Sequence, residues 1–323
     1  MDKDLAVVLG ASGFIGSHLT RRLSRSGRWR VRAVDLIPPR QAEPGVEHVI
    51  ADARQPLAPD LAKGARAIFN LAAIHRTPGH PDPAYYDTNV GGALRGIELA
   101  EACGVETLVF TSSIAVYGPC EEPVSEATPL RPVTAYGRSK RLAEAAHRRW
   151  LERGPGRRLV IVRPGVVFGP GERGNYTQLA RAVRGGYFAF PGRRDTVKSG
   201  GHVTELLRSL EFALARPEPD ILYNFAYPEA ATTAQIVARL AALSGRRSSP
   251  PTLPLPALLG AARLFEAADR LGLRNAVHRE RVMKMVRSNR IVPGWLLASG
   301  YAFATDTASA LAQWAEESEG RFV

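Results

Sequence analysis

Leu5-Ala6-Val7-Val8-Leu9-Gly10-Ala11-Ser12-Gly13-Phe14-Ile15-Gly16 is the stretch whose reading decides the fold. Its first five residues are an apolar run of strand length, and a strand apolar on both faces belongs inside a parallel sheet. Glycines follow at once, and Phe14 to Ser26 then has helical spacing, with Ile15, Leu19 and Leu23 on one face. Strand, glycine turn and helix in this order suit a pyrophosphate. Gly10 permits the tight turn, Gly13 lets backbone approach the phosphates, and Gly16 lets helix pack on strand. The helix N-terminus adds positive potential. Asp35, 19 residues beyond Gly16, stands where a carboxylate holds a ribose 2′-hydroxyl and repels a 2′-phosphate. NAD is therefore expected rather than NADP.

Working outward, strand-like runs recur at Arg30–Val34, Val46–Ala51, Ala65–Leu71, Thr107–Ser112 and Leu159–Val162, separated by helix-like segments such as Tyr86–Cys103 and Ala135–Arg153. This alternation predicts an α/β fold, a doubly wound parallel sheet of Rossmann type over residues 1–164. After Pro164, Gly, Pro and Arg crowd the sequence. Residues 165–323 are read as a smaller C-terminal α/β substrate-binding portion, with some exchange of chain between the two.

A length of 323 residues with 45% hydrophobic and 23% charged residues describes an ordinary folded chain. The formal charge is +12, and only five of the 43 basic residues are lysines. That arginine excess reads as a compositional bias, with an anionic substrate or an anionic membrane surface as the functional alternatives. Two cysteines, Cys103 and Cys120, exclude a disulfide framework, and the seven histidines lack ligand spacing, so no metal is expected. No nucleic-acid recognition motif is present. Without a leader-like N-terminus or an apolar run of about 18 residues, a cytoplasmic protein is expected.

Tyr136 and Lys140 lie four apart at the start of a predicted helix, so both project from one face. An ammonium beside a phenol favours phenolate, which makes Tyr136 a candidate general base. Ser113, just beyond the strand Thr107–Ser112, is placed to bond the same substrate oxygen.

At this point the chain resembles the extended short-chain dehydrogenase/reductases along nearly its whole length. The likeness rests on the Gly10–Gly16 loop, Asp52, Asn70-Leu71-Ala72-Ala73, Asn89, Thr111-Ser112-Ser113, Tyr136 with Lys140, and Arg163-Pro164. It implies that Ser113, Tyr136 and Lys140 are catalytic. It further implies a cofactor site of Gly10, Ser12, Gly13, Phe14, Ile15, Gly16, Asp35, Asp52, Ala53, Leu71, Ala72, Ala73, Asn89, Tyr136, Lys140, Arg163 and Pro164. Asp52 would face the adenine. Ile114-Ala115 replaces the Asp-Glu pair of the 4,6-dehydratases, which leaves epimerisation or simple oxidation and reduction at one carbinol. A narrower likeness joins His75-Arg76, Tyr85 to Val90, Arg173-Gly174-Asn175, Val197-Lys198-Ser199 and Arg281 to Lys284. These segments resemble the bacterial 4-epimerases of N-acetylglucosaminyl-diphospho-undecaprenol. The resemblance implies an NAD-dependent 4-epimerase of a diphosphate-linked hexosamine, carried on a polyprenyl lipid or on UDP. His75, Ser112, Ser113, Arg173, Asn175 and Lys198 would bind substrate, Lys198 through its diphosphate, with Arg287 and Arg290 as neighbours.

A 4-ketoreductase using NAD(P)H and a non-catalytic dinucleotide sensor stay as alternatives. Pro254-Leu255-Pro256 leads into an apolar face (Leu258, Leu259, Ala262, Phe265, Leu271), and six basic residues lie between Arg274 and Arg290. Residues 254–290 thus suit either a packed helix or peripheral contact with an anionic membrane. Family likeness also implies a homodimer through the helices Tyr86–Cys103 and Ala135–Arg153.

Overall fold

The computed structural model describes residues 3–77, 79–246, 249–270 and 279–323. The chain begins β1 (Asp4–Leu9), α1 (Phe14–Arg25), β2 (Trp29–Asp35), β3 (Val46–Ile50) and β4 (Ala65–Asn70). A one-turn helix α2 (Asp82–Tyr85) passes through a π turn at Tyr86–Gly91 into α3 (Gly92–Cys103). Then come β5 (Thr107–Thr111), β6 (Cys120–Val124), α4 (Ala135–Glu152) and β7 (Arg158–Pro164). The second half holds β8 (Val166–Phe168), α5 (Asn175–Gly185), β9 (Phe190–Pro191), β10 (Gly200–His202), α6 (Val203–Leu214) and β11 (Asp220–Phe225). It ends with α7 (Thr233–Leu243), β12 (Thr252–Leu253), α8 (Leu255–Arg270), α9 (Arg279–Val286), β13 (Asn289–Ile291), α10 (Gly294–Ala298) and α11 (Thr307–Glu317).

Seven strands pair in the order β3-β2-β1-β4-β5-β7-β11, all parallel. Alternation along each strand explains the two covering layers. Ala6 and Val8 face Leu19 and Leu23 of α1 and Leu206 and Leu210 of α6. Leu5, Val7 and Leu9 face Ile97 of α3 and Ala143 and Trp150 of α4. The expected doubly wound sheet is thus the observed one, and strand order reverses between β1 and β4. Its seventh strand β11 and the covering helix α6 come from beyond residue 164, while β6 pairs with β13.

A separate core in the second half stacks Phe168 on Tyr176 with centroids 4.5 Å apart, and packs Trp314 and Phe322 beside them. Buried Glu205 ties the last segment to α6 by accepting from the Tyr301 hydroxyl and from the amides of Ala304 (3.1 Å) and Thr305 (3.2 Å).

The turn between β1 and α1 requires its glycines for two different reasons. Gly10 has φ of +81°, and a Cβ there would stand 2.6 Å from the Ala72 amide nitrogen. Gly16 has ordinary helical backbone, but a Cβ would stand 2.1 Å from the Gly10 carbonyl oxygen. Gly16→Ala should therefore push α1 off the turn, cost about 1–3 kcal/mol and weaken NAD binding at least tenfold. Denaturant unfolding and NAD titration measure the two effects.

Candidate active site

In a parallel sheet the loops that follow every strand gather along one edge, and the cleft opens where strand order reverses. Between β1 and β4 that edge presents the Gly10–Gly16 turn on one side and Leu71-Ala72-Ala73 on the other. Leu71 is tied in by its amide to the Leu9 carbonyl at 2.9 Å. No side chain caps the first turn of α1, so its leading N–H groups and the positive end of its dipole are left to an anion. The Ser12 amide donates to the Asp35 carboxylate at 2.8 Å, and the Ser12 hydroxyl donates to the Ile37 carbonyl at 2.8 Å. This fixes Asp35 beside the glycine turn. The cradle fits a dinucleotide on three counts: a turn with no room for a Cβ at Gly10 or Gly16, an uncapped helix start, and a carboxylate at the ribose position.

Asp52 and Ala53 follow β3. The Asp52 carboxylate chelates the Arg54 guanidinium at 2.7–3.0 Å. That hydrogen bonding holds Asp52 below its usual carboxylate value. Ala53 packs under the start of α3, 3.6 Å from where a Cβ on Gly92 would lie. Asn89 lies in the π turn and is 1% exposed. Its Oδ1 accepts from the Ile74 amide at 2.9 Å, and its Nδ2 donates to the Ile74 carbonyl and to Ser139 Oγ. Ser139 in turn donates to the Tyr136 carbonyl at 2.8 Å. Asn89 therefore pins the loop after β4 to the first turn of α4.

That first turn carries Tyr136. Thr134 caps α4 by accepting from the Gly137 amide at 3.1 Å. Gly137 lets α4 lie against the one-turn helix Ile114–Val116, since a Cβ there would come within 2.4 Å of the Ala115 carbonyl oxygen. Ser113 caps that short helix by accepting from the Ala115 amide at 3.2 Å, which sets its hydroxyl against the Tyr136 phenol. Burial pushes Tyr136 up and the hydrogen bond from Ser113 draws it down. Lys140, one turn on, is 2% exposed. Its ammonium donates to the Thr111 carbonyl at 2.8 Å and lies 4.8 Å from the centre of the Phe110 ring. Burial lowers it to about 7, opposed by the charge of Glu144. The expected pull of Lys140 on the Tyr136 phenol is not among the influences on that group, which burial and Ser113 govern. Tyr85 is buried behind the pair, its ring 6.3 Å from that of Tyr136.

Several expected contacts lie elsewhere. Ser112 does not face a substrate: it is 2% exposed and its hydroxyl donates to Glu144. Alternation explains this, because neighbours at a strand end point oppositely and only Ser113 turns to the cleft. The Arg163 side chain is turned inward; it grips both oxygens of Glu144 and donates to the Tyr117 hydroxyl at 2.7 Å. Lys198 is engaged within the fold through two of its three N–H donors. Its ammonium donates to the Lys284 and Arg287 carbonyls, each at 2.7 Å, at the end of α9, and burial lowers it to about 8. His75 stands at the cleft edge, held below its ordinary value by desolvation and then by the charges of Arg76 and Lys140. Arg173 and Asn175 are exposed at the start of α5. Leu271, Arg274 and His278 lie outside the described residues.

Sequence reasoning missed Glu144, Tyr117 and Asn224. Glu144 had a signal: Arg163 ends an apolar strand, where a buried guanidinium needs a carboxylate, and Glu144 continues the four-residue spacing of Tyr136 and Lys140. Asn224, which accepts from Tyr117 at 2.8 Å, carries none.

Residues 6–226 match the NAD dependent epimerase/dehydratase family. Among similar proteins is the N-acetyl-alpha-D-glucosaminyl-diphospho-ditrans,octacis-undecaprenol 4-epimerase of Escherichia coli O157:H7, 30% identical over 92% of this chain and 90% of that one. A UDP-glucose 4-epimerase of Streptococcus mutans is 32% identical over 49% of this chain and 50% of its own length. Among solved structures, MoeE5 in complex with UDP-glucuronic acid and NAD has a TM-score of 0.77 and 27% identity, covering 98% of this chain and 99% of that one. The glycine cradle, the Tyr136–Lys140 pair and these likenesses agree, and the chain belongs to the NAD dependent epimerase/dehydratase family.

Proposed function

We propose that this protein interconverts the C4 epimers of a diphosphate-linked N-acetylhexosamine in glycan biosynthesis, with NAD as cofactor and a polyprenyl lipid as carrier. The observation that carries the reading is the meeting of Ser113, Tyr136 and Lys140 beside the dinucleotide cradle. The relative that spans nearly the whole chain is a lipid-linked 4-epimerase, which supports the choice of carrier.

When bound, NAD supplies a hydride acceptor and donor and, in its oxidised form, a positive charge that favours the Tyr136 phenolate. The Gly10–Gly16 turn and Asp35 hold its pyrophosphate and ribose, and Lys140 the second ribose. Tyr136 takes the proton from the sugar C4 hydroxyl and later returns one to the same oxygen. Ser113 donates a hydrogen bond to that oxygen as its charge changes. Because one site both removes and returns the hydride equivalent, no external reductant is consumed. Arg173, Arg287 and Arg290, all exposed, are the cations for the diphosphate, with Lys198 as a brace for the backbone that carries Arg287. Holding the substrate by its diphosphate leaves the sugar ring free to turn and offer either face of C4.

Two surface features extend the proposal. Leu94 on α3, Val133 just before α4 and Leu142 on α4 are large apolar side chains exposed at 45%, 59% and 50%; we assign this face to a homodimer. Leu253, Phe265 and Met285 are also exposed within a segment bearing Lys284, Arg287 and Arg290. No described helix is long and apolar enough to cross a membrane, so contact with an anionic bilayer would be peripheral.

Three measurements test this function. Polyprenyl-diphospho-N-acetylglucosamine with trace NAD⁺ and no reductant should yield the galacto epimer, while UDP-N-acetylglucosamine run in parallel should not. Conversion of the UDP sugar alone would overturn the lipid carrier, and stoichiometric NADH consumption would indicate a reductase. Tyr136→Phe should lower C4 inversion at least about 100-fold with NAD binding retained; near-normal turnover would remove Tyr136 from the chemistry. Leu94→Arg with Leu142→Arg should convert the dimer to monomer by light scattering.

A further inference from the structure

Glu144 has no part in the reaction as described, yet it is a 3%-exposed carboxylate one helical turn beyond Lys140 on α4. Its oxygens are shared among named donors. Oε1 accepts from the Ser112 hydroxyl and from Arg163 Nε at 2.9 Å, and Oε2 accepts from Arg163 Nη2 at 2.6 Å. Ser112 is also fixed through its backbone, its amide donating to the Val162 carbonyl at 2.8 Å. The residue clamped in this way immediately precedes Ser113.

The groups around Lys140 come from four directions. On α4 itself are Tyr136, Glu144 and neutral His147, which stacks on Phe110 and is held at about 4 by burial. Arg163 faces the cluster from β7, and Tyr117 lies on the far side of Arg163. His75 approaches from the loop after β4. From β5 come the Phe110 ring and the Thr111 carbonyl. Glu144 is the one carboxylate in this set of described residues.

We propose that Glu144 is a positioning residue for the epimerase reaction: one helical turn from Lys140, it accepts from Ser112 and so holds the strand end that presents Ser113 and the Thr111 carbonyl bonded by Lys140. The proposal rests on the Ser113–Tyr136–Lys140 reading above. Burial works against a charged Lys140 and Glu144 works for it, while Arg163 draws on the same carboxylate. Glu144 therefore acts on Lys140 directly, and Arg163 acts through the carboxylate that they share. Loss of Glu144 leaves Arg163 and Lys140 as two like charges, and loss of Arg163 leaves the carboxylate with Lys140 as its neighbouring cation and the Ser112 hydroxyl as its donor.

The pH profile of kcat/KM for C4 inversion tests this in the NAD-loaded enzyme. Lys140 must carry its proton, so activity falls as pH rises through its value. Glu144→Gln should move that basic limb down by about one pH unit, and Arg163→Met should move it up. A role confined to packing would lower kcat in both variants and leave the limb in place. An unmoved limb in folded, NAD-binding Glu144→Gln enzyme, or a shift of the same sign in both variants, overturns the proposal. If only one variant folds, the direction of its shift decides. Lys140→Met separates the two levels of the argument. An active Lys140→Met enzyme rejects the site reading itself, whereas an inactive one with an unmoved Glu144→Gln limb rejects the role of Glu144 alone.

Discussion

Because every strand of the main sheet runs the same way, and helices cover both of its faces, polar chemistry is confined to one edge. The strand interiors are closed: Val7, Val8, Leu9, Ile68, Phe69, Val160 and Ile161 have no exposed surface. The loops beyond the strand ends present the backbone N–H groups and polar side chains of the cleft. The chain crosses from β3 back to β4 on the other side of β1, and the two sets of loops part at that point. Asp35, the glycine turn, Leu71 to His75 and Ser113 meet there because the topology leaves them nowhere else. They are drawn from segments spread between Gly10 and Ser113, and the parallel run of the strands brings all of them to one edge.

Charge inside this architecture is held in a small closed account. Arg163 and Glu144 have side chains only 5% and 4% exposed, and removing one partner of such a pair typically costs about 3–5 kcal/mol. With Lys140 protonated the buried cluster carries two positive charges and one negative. A phenolate at Tyr136 brings that sum to zero. Tyr117 and Asn224 extend the same cluster to the Val292 carbonyl, which accepts from Asn224 at 3.1 Å. The Asn224 amide donates to Glu126, which also accepts from the Trp295 amide. The strand end that carries Ser113 is in this way hydrogen-bonded through to the segment that closes the second half of the chain.

What could be read in the sequence follows from what is local. A strand, a glycine turn and a helix are adjacent in the chain, so Leu5 to Gly16 announces its own geometry. Tyr136 and Lys140 are related by one helical turn, so their common face is fixed as soon as the helix is. The π turn at Tyr86–Gly91 could not be read, because it is set by Asn89 reaching Ile74 and Ser139, contacts of 15 and 50 residues in separation. Ser112 was misplaced for a related reason. Two adjacent serines at a strand end look equivalent as letters, and only the presence of Glu144 beneath the sheet decides which of them is buried.

Arginine was the least legible residue of all. The net charge of +12 suggests a surface open to anions, but much of it is engaged within the fold. Arg21 and Arg25 share Glu43, Arg22 grips Glu211, Arg32 pairs with Glu47, and Arg148 with Asp220. Arg158 donates to the carbonyls of Ala213, Leu214 and Arg216 at the end of α6. Lys198 belongs to this group, since its ammonium closes the carbonyl end of α9, where the helix dipole is negative. A cation so placed acts on an anionic substrate at one remove. It neutralises the negative end of α9 and fixes the turn that carries the exposed Arg287.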